Sequence, residues 1–274
     1  MKSNPKISVI LPNFNCERFI EKSIESILNQ SFQDLELIII DDASTDNSIA
    51  RINKYLQDDR VKLIKLPENA GNYKARNIGI DQSKGKYIAV MDADDIADKD
   101  RLLIQYDFIK KSEFACVGSQ GYWIDEEDKV IGNLDKPTDP DVLKVALLKN
   151  NFTLHPSILF DKSLLKKHGL GKYDESYVIA SDYDFAARCA IQLSVINLPE
   201  RLVHYRISST QISATKLNEQ IKTARLVRIS LLRRLGLTPT KKEIYLYNHL
   251  MEDSVLSADE LKAGLSFFNK IIRR

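Results

Sequence analysis

Short apolar runs and amphipathic helical segments alternate over the first 111 residues, and no other feature constrains the fold as strongly. Ile7 to Leu11 reads as a strand, Glu17 to Gln30 as a helix, Leu35 to Ile40 as a second strand and Asp46 to Leu56 as a second helix. Val61 to Leu66, Asn72 to Gln82, Tyr87 to Val90 and Arg101 to Lys111 continue the series. Such alternation predicts an α/β domain with a mostly parallel sheet covered on both faces, and ligands bound beyond the carboxyl ends of the strands. After Cys116 the pattern becomes mixed. Tyr122 to Ile131 reads as a hairpin with the solvated acidic tip Asp125 to Asp128, Asp141 to Lys149 as a short helix, and Ser157 to Phe160 as a strand. A helix over Asp182 to Gln192 and two short strands near Val195 and Val203 follow. Three helices are predicted at about 216–235, 240–251 and 258–272, with Gly236 and Pro239 marking the first break and Ser257 capping the last.

Two acidic turns, Asp41 to Asp46 (DDASTD) and Met91 to Ile96 (MDADDI), directly follow predicted strands. Carboxylates gathered at one sheet edge repel one another unless a cation or a donor-rich ligand compensates, so this pattern points to a divalent metal and a nucleotide. Asp92 and Asp94, two apart on an extended segment, point to the same side and supply the oxygen ligands a hard cation takes. Within the first turn, Asp46 reads as a helix cap, with Ser44 and Thr45 competing for that place, and Asp41 as a turn-ordering residue.

Composition excludes several classes. With 43% hydrophobic and 28% charged residues among 274, the chain is not disordered. Cys16, Cys116 and Cys189 are three scattered thiols without metal-ligand spacing, which argues against a disulfide framework or structural zinc and predicts a reducing, cytoplasmic setting. No apolar run approaches the roughly 20 residues of a membrane span, and the first residues lack signal-peptide character. Residues 216–274 carry twelve Lys/Arg against six Asp/Glu, whereas the preceding residues carry 28 against 32. The basic charge therefore belongs to the tail, and with no stripe of interleaved aromatic and basic residues nucleic-acid binding is not expected.

The ordered set ISVILPNFN, DDASTDNS, NAGNYKARNIGI, KYIAVMDADD and SDYDF resembles the inverting family 2 glycosyltransferases that build bacterial surface polysaccharides. The resemblance runs from residue 6 to about 213 and implies a GT-A, Rossmann-like three-layer sandwich over residues 1–213. In it, residues 1–115 would form the nucleotide-sugar half and 116–213 the acceptor half, followed by a basic helical extension over 214–274. It also implies a nucleotide-sugar donor, usually uridine-linked, bound with Mn²⁺ or Mg²⁺. Pro12 and Phe14 would lie at the nucleotide, Phe14 where the family usually has a tyrosine beside the base. Asp42 would accept the imide N–H of uracil, a role suited to an acceptor-only group. Arg76 would approach the base and phosphates. Asp92 is assigned to ribose and metal and Asp94 to metal, with Asp95 as a further candidate ligand. Asp182 matches the catalytic base, which a single displacement at the anomeric carbon requires.

Two positions depart from the family pattern: Ser181 stands where a glutamate usually precedes the base, and Ser208 where a histidine usually reaches the metal or diphosphate. His204 and Arg206 are candidates on the phosphate side, and His155 and Trp123 on the acceptor side. Several alternatives stay open. Asp184 could exchange roles with Asp182, since either accepts a proton. Tyr122 and Trp123 are read as hairpin packing as well as a sugar platform. The helix at 216–235 either packs on its own domain or contacts anionic lipid, which would suit a lipid-linked acceptor and a peripheral position at the cytoplasmic membrane; a homodimer through the tail is also open. Rival functions are a degenerate nucleotide- or partner-binding relative and a nucleotidyltransferase, though PNFNCERF is not the phosphate loop the latter would carry.

Overall fold

The computed structural model describes residues 4–208, 216–252 and 255–273. Four apolar strands open the chain: β1 (Ile7–Asn13), β2 (Leu35–Asp41), β3 (Val61–Lys65) and β4 (Tyr87–Val90). Helices α1 (Ile20–Leu28), α2 (Ser48–Asn53) and α3 (Asn72–Gln82) connect them. The neighbours β1–β2, β2–β3 and β1–β4 pair in parallel, as strands joined by a helical crossover do. After β4 come the two-residue β5 (Ile96–Ala97), α4 (Arg101–Ile109), and the hairpin β6 (Cys116–Ile124) and β7 (Val130–Leu134). They are followed by α5 (Pro140–Ala146), a 3₁₀ turn at His155–Ser157, β8 (Leu159–Asp161), α6 (Lys162–Lys167), α7 (Ser181–Gln192) and β9 (Val195–Arg206). Among the described residues the sheet has nine strands in the order β3-β2-β1-β4-β8-β6-β9-β5, with β7 on β6. β8 runs antiparallel to both β4 and β6, which makes the sheet mixed.

The α/β fold, mixed central sheet and helical C-terminal extension agree with the sequence expectation. Several local features differ. Helix α1 starts at Ile20 rather than Glu17, because the Glu17 N–H is taken by Asp46 Oδ2 at 2.9 Å and the preceding Asn15 holds a left-handed backbone, φ 49°. The two strands expected near Val195 and Val203 are one strand. Opposite β6 the register passes from Ser119↔Leu198 to Gln120↔Arg201, so Pro199 and Glu200 are absorbed in a bulge. Proline has no N–H to give to a ladder, and a bulge lets the strand continue past it. The arms of the hairpin extend well beyond Tyr122 to Ile131, and its acidic tip is not merely solvated: Arg18 pairs with Glu126 and Glu127, and Lys22 and Arg206 pair with Asp128. Helix α6 and strand β5 were not foreseen.

The C-terminal helices α8 (Leu217–Arg234), α9 (Lys241–Met251) and α10 (Ala258–Ile272) lie close to the predicted spans. Thr240 and Ser257 each begin a helix through a capping box with Glu243 and Glu260, which satisfies two otherwise orphaned backbone donors reciprocally. Val227 and Leu231 of α8 are buried in the same cluster as Ile38, Ile88 and Phe185, so α8 packs on the sheet-bearing domain. Leu232, Tyr247, Met251, Phe267 and Ile271 form a smaller cluster with Leu148 of the domain. Arg228, which the sequence pattern sets off the apolar stripe, is buried and gives its Nε proton to Asn248 Oδ1 at 2.9 Å. The domain boundary expected at 213/214 lies outside the described residues. No described helix is long and apolar enough to cross a membrane.

Candidate active site

The ends of β1 and β2 are tied together by polar side chains. Asn13 pairs with Asp41 in register, and its Nδ2 donates to Asp41 Oδ1 at 2.8 Å and to Ser44 Oγ at 3.1 Å. Asp41 Oδ2 accepts the Ser44 N–H at 3.1 Å, so Asp41 orders the turn. Asp46 joins the loop after β1 to the start of α2 by accepting from Glu17 N and Ser48 N. Asn47 holds the N-cap position without a side-chain hydrogen bond, and it is Asp46, one residue earlier, whose Oδ1 accepts the N–H of Ser48, the first residue of α2, at 2.9 Å. Asp42, buried beside these residues, accepts from the backbone N–H of Ala70 at 2.6 Å and of Gly71 at 2.9 Å. One carboxylate thereby fixes the loop that leads into α3. That helix sits low on the sheet: a Cβ on Gly79 would meet side-chain atoms of Ile10 and Ile40 at 2.6 Å. The close approach seats Arg76, one turn earlier, against the strand ends, where its fully buried guanidinium pairs with Asp92.

The second acidic turn divides its carboxylates. Asp92 and Asp94 line a cavity of about 2160 Å³ together with Pro12, Phe14, Asp42 and Arg76. Asp95 does not line it. The turn closes with Asp95 N–H directed to Asp92 O at 3.4 Å, which carries the Asp95 side chain back beneath the turn, where Oδ1 accepts the Arg206 N–H at 2.8 Å. Burial, reinforced by the charges of Asp94 and Asp92, pushes the Asp95 carboxyl well above the usual range. The expectation of Asp95 as a ligand gives way to a structural position. Among the described residues no group of three or more His, Cys, Asp or Glu side chains is arranged to hold a metal ion. Two hard carboxylates on a cavity wall nevertheless fit Mg²⁺ or Mn²⁺ chemistry, because such ions keep several waters and take the rest of their shell from substrate phosphates.

Arg206 is likewise structural. Fully buried, it donates from Nε to Asp94 O at 2.7 Å and from Nη1 to Asp125 O at 2.6 Å, and its guanidinium lies 4.3 Å from the Phe19 ring centroid. It thus braces the acidic turn against the hairpin tip. His204 lies outside the cavity lining, stacked on Tyr122 with ring centroids 5.2 Å apart, while Tyr205, the next residue of β9, lines it, as does Ser208 beyond the end of that strand. Alternate residues of a strand face opposite sides, and parity removes His204 from the site. Trp123 does line the cavity, edge-on to Tyr205. His155 also lines it, with Nε2 2.9 Å from Tyr173 Oη; burial, and then the Arg76 charge, lower its pKa well below that of a free imidazole and keep the ring neutral.

Asp182 lies in the first turn of α7 and faces the same cavity. Its Oδ1 accepts from Tyr73 Oη at 2.9 Å and its Oδ2 from Asn151 Nδ2 at 2.8 Å. Asn151 is fixed in turn, its Oδ1 accepting from Thr153 N and Oγ1 at 3.0 and 2.7 Å. Asp184 instead turns inward to Arg188 Nε at 2.6 Å, and burial raises its pKa. Ser181 donates from Oγ to Asp174 O at 2.8 Å and ties the start of α7 to the loop before it. Sequence reasoning missed Tyr73, Asn151, Tyr173 and the part of α8 that borders the cavity. Tyr73 stands inside the NAGNYKARN motif, the one signal that could have drawn attention to it.

Residues 8–169 match the family described as glycosyl transferase family 2. An uncharacterized glycosyltransferase of Methanocaldococcus jannaschii is 34% identical over 226 residues, spanning 79% of this chain and 76% of that protein. Another, from Haemophilus influenzae, is 30% identical over 239 residues, spanning 83% and 73%. In fold the chain is similar to S. aureus TarS 1–349 in complex with UDP-GlcNAc, with a TM-score of 0.70 at 19% identity, over 97% of this chain and 81% of that one. The match takes in both acidic turns and the sheet that carries them, and the chain belongs to glycosyl transferase family 2, built on a GT-A fold.

Proposed function

We propose that this protein is an inverting glycosyltransferase that moves a sugar from a uridine-linked donor to a hydroxyl of a saccharide or lipid-linked oligosaccharide, in surface polysaccharide biosynthesis. The observation that carries this reading is that Asp182 shares one cavity with Asp42, Arg76, Asp92 and Asp94 although these residues span 140 positions of sequence. The likeness in fold to TarS, whose structure holds UDP-GlcNAc, supports a uridine-linked donor. Asp42 and Phe14 would hold the base, and Arg76 would stabilise the departing diphosphate as a fixed charge. Asp92 and Asp94 would hold a divalent cation, which when bound supplies Lewis-acid stabilisation of the same leaving group. Asp182 accepts the proton of the attacking hydroxyl as its oxygen bonds to the anomeric carbon and the bond from that carbon to the diphosphate oxygen breaks. One displacement inverts the anomeric centre. The site of action is the cytoplasm, peripheral to its membrane when the acceptor is lipid-linked.

The test is release of nucleoside diphosphate from a panel of nucleotide sugars with Mn²⁺ or Mg²⁺, repeated with Asp182→Asn and Asp94→Asn. Metal-dependent release from a uridine-linked sugar, lost in both variants, is the expected result. Normal transfer by Asp182→Asn would overturn the assignment of the base, and failure to bind any nucleotide would overturn the donor.

A further inference from the structure

The edge of the sheet opposite the acidic turns gathers positive charge that the catalytic cavity does not use. Ile7, Tyr87 and Asp161 lie in register across β1, β4 and β8, so Lys6, Lys86 and Lys162, the residue just beyond each strand on this side, stand next to one another. Backbone hydrogen bonds fix them there: Lys6 O accepts the Tyr87 N–H and Lys86 O accepts the Lys162 N–H, each at 3.0 Å. Lys84 is brought to the same place by Gly85, whose N–H goes to Ser8 Oγ at 2.8 Å and where a Cβ would meet Ser8 N at 2.7 Å. The missing side chain is what lets the turn between α3 and β4 lie this close to β1. Lys166 joins them from α6, one helical turn after Lys162.

These five lysines line a cleft of about 530 Å³, and among the described residues no carboxylate lines it. The surrounding acids are engaged elsewhere. Asp34 pairs with Lys6 and Asp161 with Lys86, each at 3.2 Å, and Asp81 pairs with Lys172 at 2.7 Å. Glu36 Oε1 accepts from Ser8 Oγ at 2.6 Å and from the Lys84 N–H at 2.7 Å. Lys162 donates from Nζ to Ser83 O at 2.8 Å and to Ser83 Oγ at 2.7 Å, at the C-cap of α3, where a cation suits the helix dipole. That contact supports the fold. Lys84 and Lys166 are exposed, and among the described residues neither has a carboxylate within ion-pair distance. Like charges held side by side repel one another, and burial, with the Lys166 charge acting in the same direction, lowers the Lys162 pKa.

We infer that this cleft binds a soluble compound bearing two or more linked phosphates, at a site separate from the catalytic cavity. Linked phosphates reach Lys84, Lys162 and Lys166 together, and lysines meet them as mobile point charges on flexible stems. Bound there, the anion supplies the counter-charge that the surrounding acids do not. A bilayer is a poorer match, because interfacial binding draws on buried apolar side chains and, among the described residues of the cleft, Pro5 is the one apolar side chain. None of the five lysines lines the catalytic cavity, so the inference does not rest on the glycosyltransferase reading.

Inorganic tripolyphosphate is the probe, titrated calorimetrically into the full chain in metal-free buffer of constant ionic strength, with and without saturating UDP. Orthophosphate and phosphatidylglycerol vesicles are titrated alongside. Tripolyphosphate is expected to bind about tenfold or more tightly than orthophosphate and to keep its affinity when UDP is present. Lys84→Gln/Lys166→Gln should weaken it by about tenfold or more, and Lys84→Arg/Lys166→Arg, which keeps both charges, should restore most of the affinity. Cations also line the catalytic cavity, and Lys216→Gln/Lys222→Gln, which removes two of them, should leave tripolyphosphate binding unchanged. Absence of binding, equal affinity for orthophosphate, displacement by UDP, or affinity that survives Lys84→Gln/Lys166→Gln would overturn the site. Binding of vesicles without binding of tripolyphosphate would overturn it too and make the lysines a bilayer contact.

Discussion

Tyr73 donates its hydroxyl proton to Asp182 across 2.9 Å, and these two residues are 109 positions apart in sequence. Burial first, and then the neighbouring Asp182 charge, pushes the Tyr73 hydroxyl well above its ordinary pKa. It therefore stays a donor throughout the working pH range, holding one carboxylate oxygen while Asn151 holds the other. Each oxygen keeps a remaining lone pair with which to meet an acceptor hydroxyl. Tyr73→Phe removes one charge-assisted hydrogen bond, worth about 1.5–3 kcal/mol. If that bond aims the base, kcat falls roughly 10- to 100-fold with the donor KM unchanged. Steady-state kinetics decide it, and a normal kcat would show that Asp182 needs no such support.

Asp182 and Asp184 are separated by a second comparison. Asp182 lines the cavity, whereas Asp184 is buried against Arg188. Asp182→Asn should lower kcat by about 10² to 10⁴, the usual contribution of a positioned base, and lower the melting temperature less than Asp184→Asn does, because the amide oxygen still accepts one of the two bonds that Tyr73 and Asn151 give. Asp184→Asn leaves the Arg188 charge buried and unpaired, and breaking such a pair costs about 3–5 kcal/mol of stability. Parallel denaturation and turnover measurements distinguish the two. A reversed pattern would make Asp184 the base.

The first half of the fold was legible because its strands are short, mostly apolar runs that alternate with segments of helical character. Pro199 and Glu200 made β9 look like two strands, since a bulge is a tertiary accommodation to β6 and leaves no periodic trace. Helix α6 is six residues long, too short for a period to register, although Asp161 caps it. Asp42, Arg76, Asp92, Asp94 and Asp182 could be grouped from the order of their motifs. The inward turn of Asp95 was not readable, because adjacent carboxylates look alike until Arg206, 111 positions later, takes one of them. Asn151 and the cavity face of α8 share the same difficulty: their roles arise from packing between distant segments.

Arg206 gives a prediction about stability rather than chemistry. It joins Asp94 O, Asp125 O and Asp128, and its backbone N–H holds Asp95. Arg206→Ala should destabilise the protein by about 3–5 kcal/mol, as removal of one partner from a buried charge network does. Donor binding should weaken as well, since the turn bearing Asp92 and Asp94 loses its brace. Urea unfolding and nucleotide titration provide the measurements. Unchanged nucleotide affinity in a destabilised variant would confine Arg206 to the hairpin.

His155 makes the stability of the protein depend on pH in a definite direction. Burial and the Arg76 charge depress its pKa far below 6.5 in the folded state, whereas the unfolded chain restores a value near 6.5. Between the folded and unfolded values the unfolded state binds the extra proton, so stability rises with pH up to about 6.5 and levels off above it. Each pH unit below that point should remove up to about 1.4 kcal/mol through this residue. Replacing the imidazole by the non-titrating amide of His155→Gln should flatten the difference in urea-unfolding free energy between pH 5.5 and 7.5 by about that amount, even if the variant is less stable at both. An undiminished slope would place the acid sensitivity on other groups and would mean that the His155 ring is protonated, or open to water, in the folded protein.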